Sequence, residues 1–310
     1  MNELKKIFAV CIVTALLSPF FYGCGNGEGE GETDGTDTSD MGNGDGGMTK
    51  SPSKAQNIFY AIPSPVELAL LIQRAGAKYN KGFLNSPDNI SKYSTNTSKA
   101  LNLGVYGADL SYTSVFDANT QESIVYLACT RKLAESLGVR NAFNEQTVDR
   151  IQNNTGKKDS LFTIISDSYM NTDEMLKESQ RENASALVIT GGFIEALYLG
   201  TQLAKTTKNS ADIITRIAEQ KGTFDNVIGL LSSYEQDSSI AAVLTDIKAL
   251  KEIYDHVKIE STSTPEAKTN PNTKVTTIGG KIIYTITPEL VEKLTSKAAE
   301  IRNKIISGQN

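Results

Sequence analysis

Tryptophan is absent from the sequence, histidine occurs once and cysteine three times. Each scarcity removes a class of chemistry. His256 stands alone, so a histidine-based triad and a multi-histidine metal site both lack the partners they need. Its place near a helix end reads as a surface position. No P-loop, nucleotide-binding glycine fingerprint or zinc-ligand spacing occurs, so no cofactor is implied. Basic runs are also missing. The net charge of the chain is −5. Residues 1–23 contribute +1 (Glu3, Lys5, Lys6). Residues 25–47 contribute −7, from Glu28, Glu30, Glu32, Asp34, Asp37, Asp40 and Asp45. The remainder from Met48 onward is therefore +1. A near-neutral body without a basic stripe argues against nucleic acid as a partner.

The chain opens with Lys5 and Lys6, then an apolar run from Ile7 to Leu17 that is too short to span a bilayer. That pattern is an export signal. It ends in Phe21-Tyr22-Gly23-Cys24, which resembles the lipobox of bacterial lipoproteins. The resemblance implies acylation of Cys24, which would become the first residue of the mature chain. It also implies a lipid anchor in the outer membrane of the cell envelope, with either face open. An ordinary secretory leader is the alternative. With Cys11 removed and Cys24 lipidated, Cys129 is the sole thiol of the body and no intrachain disulfide forms. Residues 24–54 are Gly-rich and acidic and bury too little to offset chain entropy. They read as a disordered tether spanning roughly 30 Å.

From residue 55 onward, helix signals dominate. Ser64-Pro65-Val66-Glu67 is a capping box with proline at the first helical position, opening a helix to about 79. Further helices are predicted at 97–117, 120–137, 145–154, 159–180, 183–207, 210–221, 224–234 and 238–258. Gly138 and Gly222 sit where C-terminal caps belong. Val275–Ile278 and Lys281–Ile286 flank Gly279-Gly280 and read as a β-hairpin. Thr287-Pro288 caps a last helix over about 288–306.

Between Asn183 and Lys205 the only charge is Glu195. A helix this apolar on every side is a membrane span or the centre of a large core. A mid-helix carboxylate and several glycines favour the core. Asn183 is the predicted N-cap. Gly192, Ala196 and Gly200 form a strip open to close helix approach.

An internal duplication is also legible. Ala100-Leu101 through Asp109 and Tyr112 matches Ala186-Leu187 through Glu195 and Tyr198. Lys132–Glu135 before Gly138 matches Arg216–Glu219 before Gly222. Ser160-Leu161 and Ile164–Asp167 match Ser239-Ile240 and Val243–Asp246. The repeat units are about 97–180 and 183–258. The fold class is therefore all-α: internally duplicated four-helix units in one bundle, with a small C-terminal hairpin before the last helix. Such a bundle on an exported chain is similar in outline to imelysin-type proteins. Their Gly-x-His-x-x-Glu motif is absent, because Val257-Lys258-Ile259 follows His256.

Four carboxylates interrupt otherwise apolar turns: Asp109, Asp167, Glu195 and Asp246. Tyr112 and Tyr198 lie three residues beyond Asp109 and Glu195, on the same helix faces. Buried carboxylates must be paired, hydrogen-bonded or protonated. One reading is a structural polar network holding the two repeats in register. The other is a cation or small-ligand site built from Asp109, Tyr112, Asp167, Glu195, Tyr198 and Asp246. Hydrolysis by a carboxylate pair is a third reading. Cys129, whose counterpart in the second repeat is Ile213, reads as a small core residue. The leading function is non-catalytic: a membrane-anchored binding or scaffolding module whose partner is an envelope protein or small ligand.

Overall fold

The computed structural model describes residues 69–70, 73–74, 76–116, 120–154, 157–208, 210–261, 266–269, 276–279 and 282–309. The expected leader with Cys24, the expected tether at 24–54 and most of the helix expected at 64–79 lie outside the described residues. The rest is an all-α bundle. Nine long helices run in order among the described residues: α1 (Asn96–Phe116), α2 (Thr120–Ser136), α3 (Glu145–Asn153), α4 (Lys158–Glu178), α5 (Glu182–Thr206), α6 (Ala211–Glu219), α7 (Lys221–Ser232), α8 (Ser238–Tyr254) and α9 (Pro288–Ser307). Four fall in each predicted repeat, and their bounds lie within about four residues of the sequence reading.

Capping chemistry sets several starts. The Thr95 hydroxyl accepts from the Ser98 amide at 2.9 Å ahead of α1. Asn144, Asp237 and Thr287 do the same for α3, α8 and α9. Each satisfies an amide that has no intrahelical acceptor. Pro288 fits the first position of α9, and Gly308 closes it at φ 75° in the left-handed region. Gly138, at φ 71°, ends the turn after α2 as expected.

Helices α1 and α5 form the centre. Every residue from Ala100 to Val115 is buried. An 18-residue window of α5 apolar enough to cross a membrane is 94% buried inside the protein. The α5 surface is covered by α1, α4, α6, α7 and α9. It is a core helix because all of its sides have partners.

The α1–α5 approach depends on missing side chains. A Cβ on Gly191 would stand 1.9 Å from the Leu101 carbonyl oxygen, and one on Gly104 would stand 2.0 Å from that of Val188. Only glycine lets two backbones come this close. The tight contact thus centres on Gly104 and Gly191. Gly192, the first member of the expected 192/196/200 strip, belongs to the same close approach: a Cβ on Gly104 would stand 2.5 Å from its nitrogen, although a Cβ on Gly192 itself would stand 3.4 Å from the Gly104 carbonyl oxygen. The partners Leu101–Gly191, Gly104–Val188, Gly104–Gly192 and Asp109–Glu195 keep a near-constant separation in number, so α1 and α5 run in the same direction.

Three local expectations are corrected. Asn183 is not the N-cap of α5, since the helix starts at Glu182. Its amide instead donates to Asp237 Oδ2 at 2.9 Å, at the start of α8. Gly222 does not end a helix, because it lies inside α7. The turn after α6 is made by Gln220 with ordinary helical dihedrals, so no left-handed residue is needed.

Gly279-Gly280 is not the hairpin turn. Strands β1 (Lys258–Ser261) and β4 (Ile282–Thr285) pair antiparallel, as do β2 (Glu266–Thr269) and β3 (Thr276–Gly279). The chain goes out through β1 and β2 and returns through β3 and β4. Lys258 faces Thr285 while Glu266 faces Gly279, a register change of two residues between the ladders. Gly279 is the last residue of β3 and pairs with Glu266, and Gly280 lies outside the described residues.

Candidate functional site

The bundle buries a polar centre where α1, α5 and α9 meet. Asp109 and Glu195 are both completely buried and lie side by side. Arg302 of α9, 6% exposed, reaches them from the other side. Its Nε donates to Glu195 Oε2 at 2.9 Å and one terminal nitrogen donates to Oε1 at 3.1 Å. That is a two-pronged guanidinium–carboxylate pair. The same terminal nitrogen donates to the Phe83 carbonyl at 3.1 Å, and the guanidinium carbon sits 4.6 Å from the Tyr198 ring centroid.

The electrostatics follow from burial. Removal from water pushes the Asp109 pKa well above the usual carboxylate range, and the neighbouring Glu195 charge pushes it further. The charge of Arg302 and the Asn85 amide pull the other way and are outweighed. Burial works against the Arg302 cation, but Glu195 overrides it and the guanidinium is held more firmly protonated than usual. The centre thus carries one carboxylate, one guanidinium and one neutral acid. A second buried negative charge would have no counter-ion of its own among the described residues.

A loop before α1 wraps this centre. Asp109 Oδ2 accepts from the Asn85 amide at 3.1 Å. The Tyr126 hydroxyl of α2 donates to the Asn85 carbonyl at 3.0 Å. The Asn85 side chain donates to the Tyr93 hydroxyl, which donates to the Ile306 carbonyl on α9. Tyr106 on α1 donates to the Ser86 carbonyl at 2.7 Å. Asn102 of α1 donates to the Ile305 carbonyl at 3.0 Å. The network therefore ties the loop, α1, α2, α5 and α9 together. The proton that Asp109 keeps has an acceptor in the neighbouring Glu195 carboxylate, and this side-chain hydrogen bond adds to the upward shift.

The other sequence candidates lie elsewhere. Asp167 is exposed, with Arg150 at 3.9 Å, and Asp246 pairs with Lys304 of α9 at 2.6 Å on the surface. The four carboxylates therefore do not converge; they divide into a buried pair and two peripheral ion pairs. The physical reason is helix phase: Ile164, Ile165 and Val243, Leu244 face the core, so the acids following them turn outward. Tyr112 is buried, its hydroxyl accepts from the Asn80 amide at 2.9 Å, and its ring stacks on Tyr79. Burial pushes the Tyr112 phenol up to about 12. Tyr198 is half-buried beneath Arg302. His256 is exposed beyond α8. Cys129 is buried, and desolvation pushes its thiol up to about 11, away from nucleophilic reactivity. Cys24 lies outside the described residues.

Arg302 was not among the sequence candidates. A signal for it exists: Leu294, Ala298, Ile301 and Ile305 form the buried stripe of α9, and Arg302 stands on that stripe seven residues after the buried Thr295. A charge on an apolar stripe requires a buried partner. Comparison with protein-family models, with curated proteins and with solved structures finds no match for the chain.

Proposed function

We propose that this is a lipid-anchored protein of the bacterial envelope whose helical body is a non-catalytic binding or scaffolding module. The observation that carries the reading is the Arg302–Glu195 pair. The space beside Glu195, where a ligand cation would sit, is filled by the protein's own guanidinium at hydrogen-bond distance. The buried acids then serve architecture: they join the repeats to the last helix. A carboxylate-dependent hydrolase needs its acids within reach of a substrate, and both members of this pair are fully buried.

The test uses thermal stability. With Arg302 in place, the melting temperature of the wild type is expected to stay flat as divalent cation is added. A rise in wild type that is lost in Glu195→Gln would transfer the reading to a cation site. That alternative draws on the two fully buried acids, Asp109 and Glu195, lying side by side. The anchor has its own test. Mass spectrometry of the mature N-terminus is expected to show an acylated Cys24, and Cys24→Ser is expected to release the protein from membranes. An unmodified N-terminus beginning elsewhere would leave the chain an ordinary secreted protein.

A further inference from the structure

Strand β1 presents an edge. Its four residues, Lys258, Ile259, Glu260 and Ser261, are all exposed. Its ladder contains only β4 among the described residues. The two strands are not equivalent: β4 packs against α6, and Tyr284 and Ile286 rest on the core, so β1 is the outer strand. A two-stranded ladder is marginal alone, and an uncovered edge is a template for another strand. The side chains add to this. Ile259 is 49% exposed and faces Tyr284 across the ladder; Ile282, 56% exposed, lies diagonally from it on the same face, and Ile283, 37% exposed and opposite Glu260, lies on the other face. Three of the five exposed large hydrophobic residues among the described ones lie on this one ladder.

The charge pattern identifies the occupant. Lys258 and Glu260 flank Ile259 symmetrically. In an antiparallel pair related by a two-fold axis through Ile259, Ile259 meets its own copy. Lys258 of each strand then faces Glu260 of the other. The edge is complementary to itself in both charge and apolar content, which is what an isologous interface requires. The charges that ordinarily protect an edge here select one partner.

We infer that the chain self-associates through β1, pairing edge to edge with a second copy to give a four-stranded antiparallel sheet in the order β4-β1-β1-β4. Short strands bury less area than a standard stable interface, so the association is weak and concentration-dependent.

Charge swaps test it. The full chain in detergent is compared by sedimentation velocity over a hundredfold concentration range. Wild type is expected to shift from monomer towards dimer. Lys258→Glu makes position 258 match the charge of position 260, and Glu260→Lys does the reverse. Each variant alone then opposes like charges twice per dimer and is expected to associate about tenfold more weakly. An equimolar mixture of the two variants faces unlike charges again and is expected to dimerise at least as well as wild type. So is the doubly swapped chain. Helical circular dichroism checks that every variant is folded. A wild type that stays monomeric throughout would overturn the inference. So would single swaps that associate as wild type does, or a mixture no better than its components; those results would place any association elsewhere, such as the apolar leader.

Discussion

Replacing Arg302 with methionine is the sharpest perturbation of the buried centre. Methionine keeps most of the stem's volume and removes only the guanidinium. Lost with it are the two hydrogen bonds to Glu195, the bond to the Phe83 carbonyl and the cation over Tyr198. Glu195 has no exposed surface through which water could replace them. Two outcomes are open to a carboxyl left in this position. It keeps its charge, and an unpaired buried charge costs about 3–5 kcal/mol. Alternatively it takes up a proton, and carrying an ordinary carboxyl from its usual pKa to beyond 7 costs about 3–4 kcal/mol. The two routes converge, so Arg302→Met is expected to lose about 3–5 kcal/mol at pH 7, read by urea unfolding with an unchanged slope. Glu195→Gln combined with Arg302→Met leaves no buried charge and is expected to recover at least about 2 kcal/mol of that loss. The deficit of the single variant should also shrink from pH 7 to pH 5, as the proton becomes easier to bind. A loss below about 1 kcal/mol would refute the pairing as an energetic element. A double variant as unstable as the sum of its parts would do so independently.

Three further perturbations probe the surroundings. Asp109 has a raised pKa in the folded state, so its contribution to stability is fully present below about pH 3.8 and falls as pH rises towards the folded value. Asp109→Asn removes that loss and should become progressively more stable than wild type above pH 4, by up to about 1.4 kcal/mol per pH unit; parallel pH profiles in chemical denaturation would contradict a protonated Asp109. Gly191→Ala drives a methyl into the Leu101 carbonyl and is expected to cost about 3 kcal/mol, whereas Gly222→Ala, with nothing within 4 Å of the new methyl, should gain up to about 1 kcal/mol from helix propensity; equal melting temperatures for the two variants would refute the close crossing. Cys129 should react with thiol reagents only on unfolding, and Cys129→Ala should cost about 1 kcal/mol, so rapid labelling of native protein at pH 8 would contradict its burial.

Several helices were legible because they carry a boundary in a few local residues, whereas α4, α5, α6 and α7 start without a side-chain cap. Thr287-Pro288 announces a start with a side chain that can satisfy a free amide, and Gly138 announces an end through its left-handed φ; the caps at Asn144 and Asp237 came with the structure. Local signals failed where tertiary partners decided between equal options. Asn183 has the chemistry of an N-cap and spends it on Asp237. Gly222 lies inside α7, and the turn ahead of it is made by Gln220 in the ordinary helical region. Gly279-Gly280 resembles a two-residue turn, yet the β4 residues that follow pair with β1, more than twenty residues upstream. Strand pairing is a long-range choice, and a glycine pair is compatible with either a turn or a break.

The site was legible by half for a related reason. Glu195 in an apolar helix required a partner, and the glycines near it showed where helices could approach. What the sequence could not reveal from α5 alone was that the partner stands 107 residues later. Asp167 and Asp246 looked equivalent to the buried pair because a carboxylate beside apolar residues reads alike whether its helix turns it inward or outward. The distinction lies in phase, and at two-residue apolar runs the phase is set by what the helix packs against. Asp109 shows the complementary case. Its burial was expected, but its protonation follows from desolvation and from the local charges, with Glu195 claiming the cation of Arg302. The loop at 80–93, which no periodicity marks, supplies that centre with backbone groups from Phe83, Asn85 and Ser86. Backbone donors and acceptors are available at every position, so their use leaves no trace in residue type. The polar centre is therefore readable from the residues that need partners, and hidden in those that provide them.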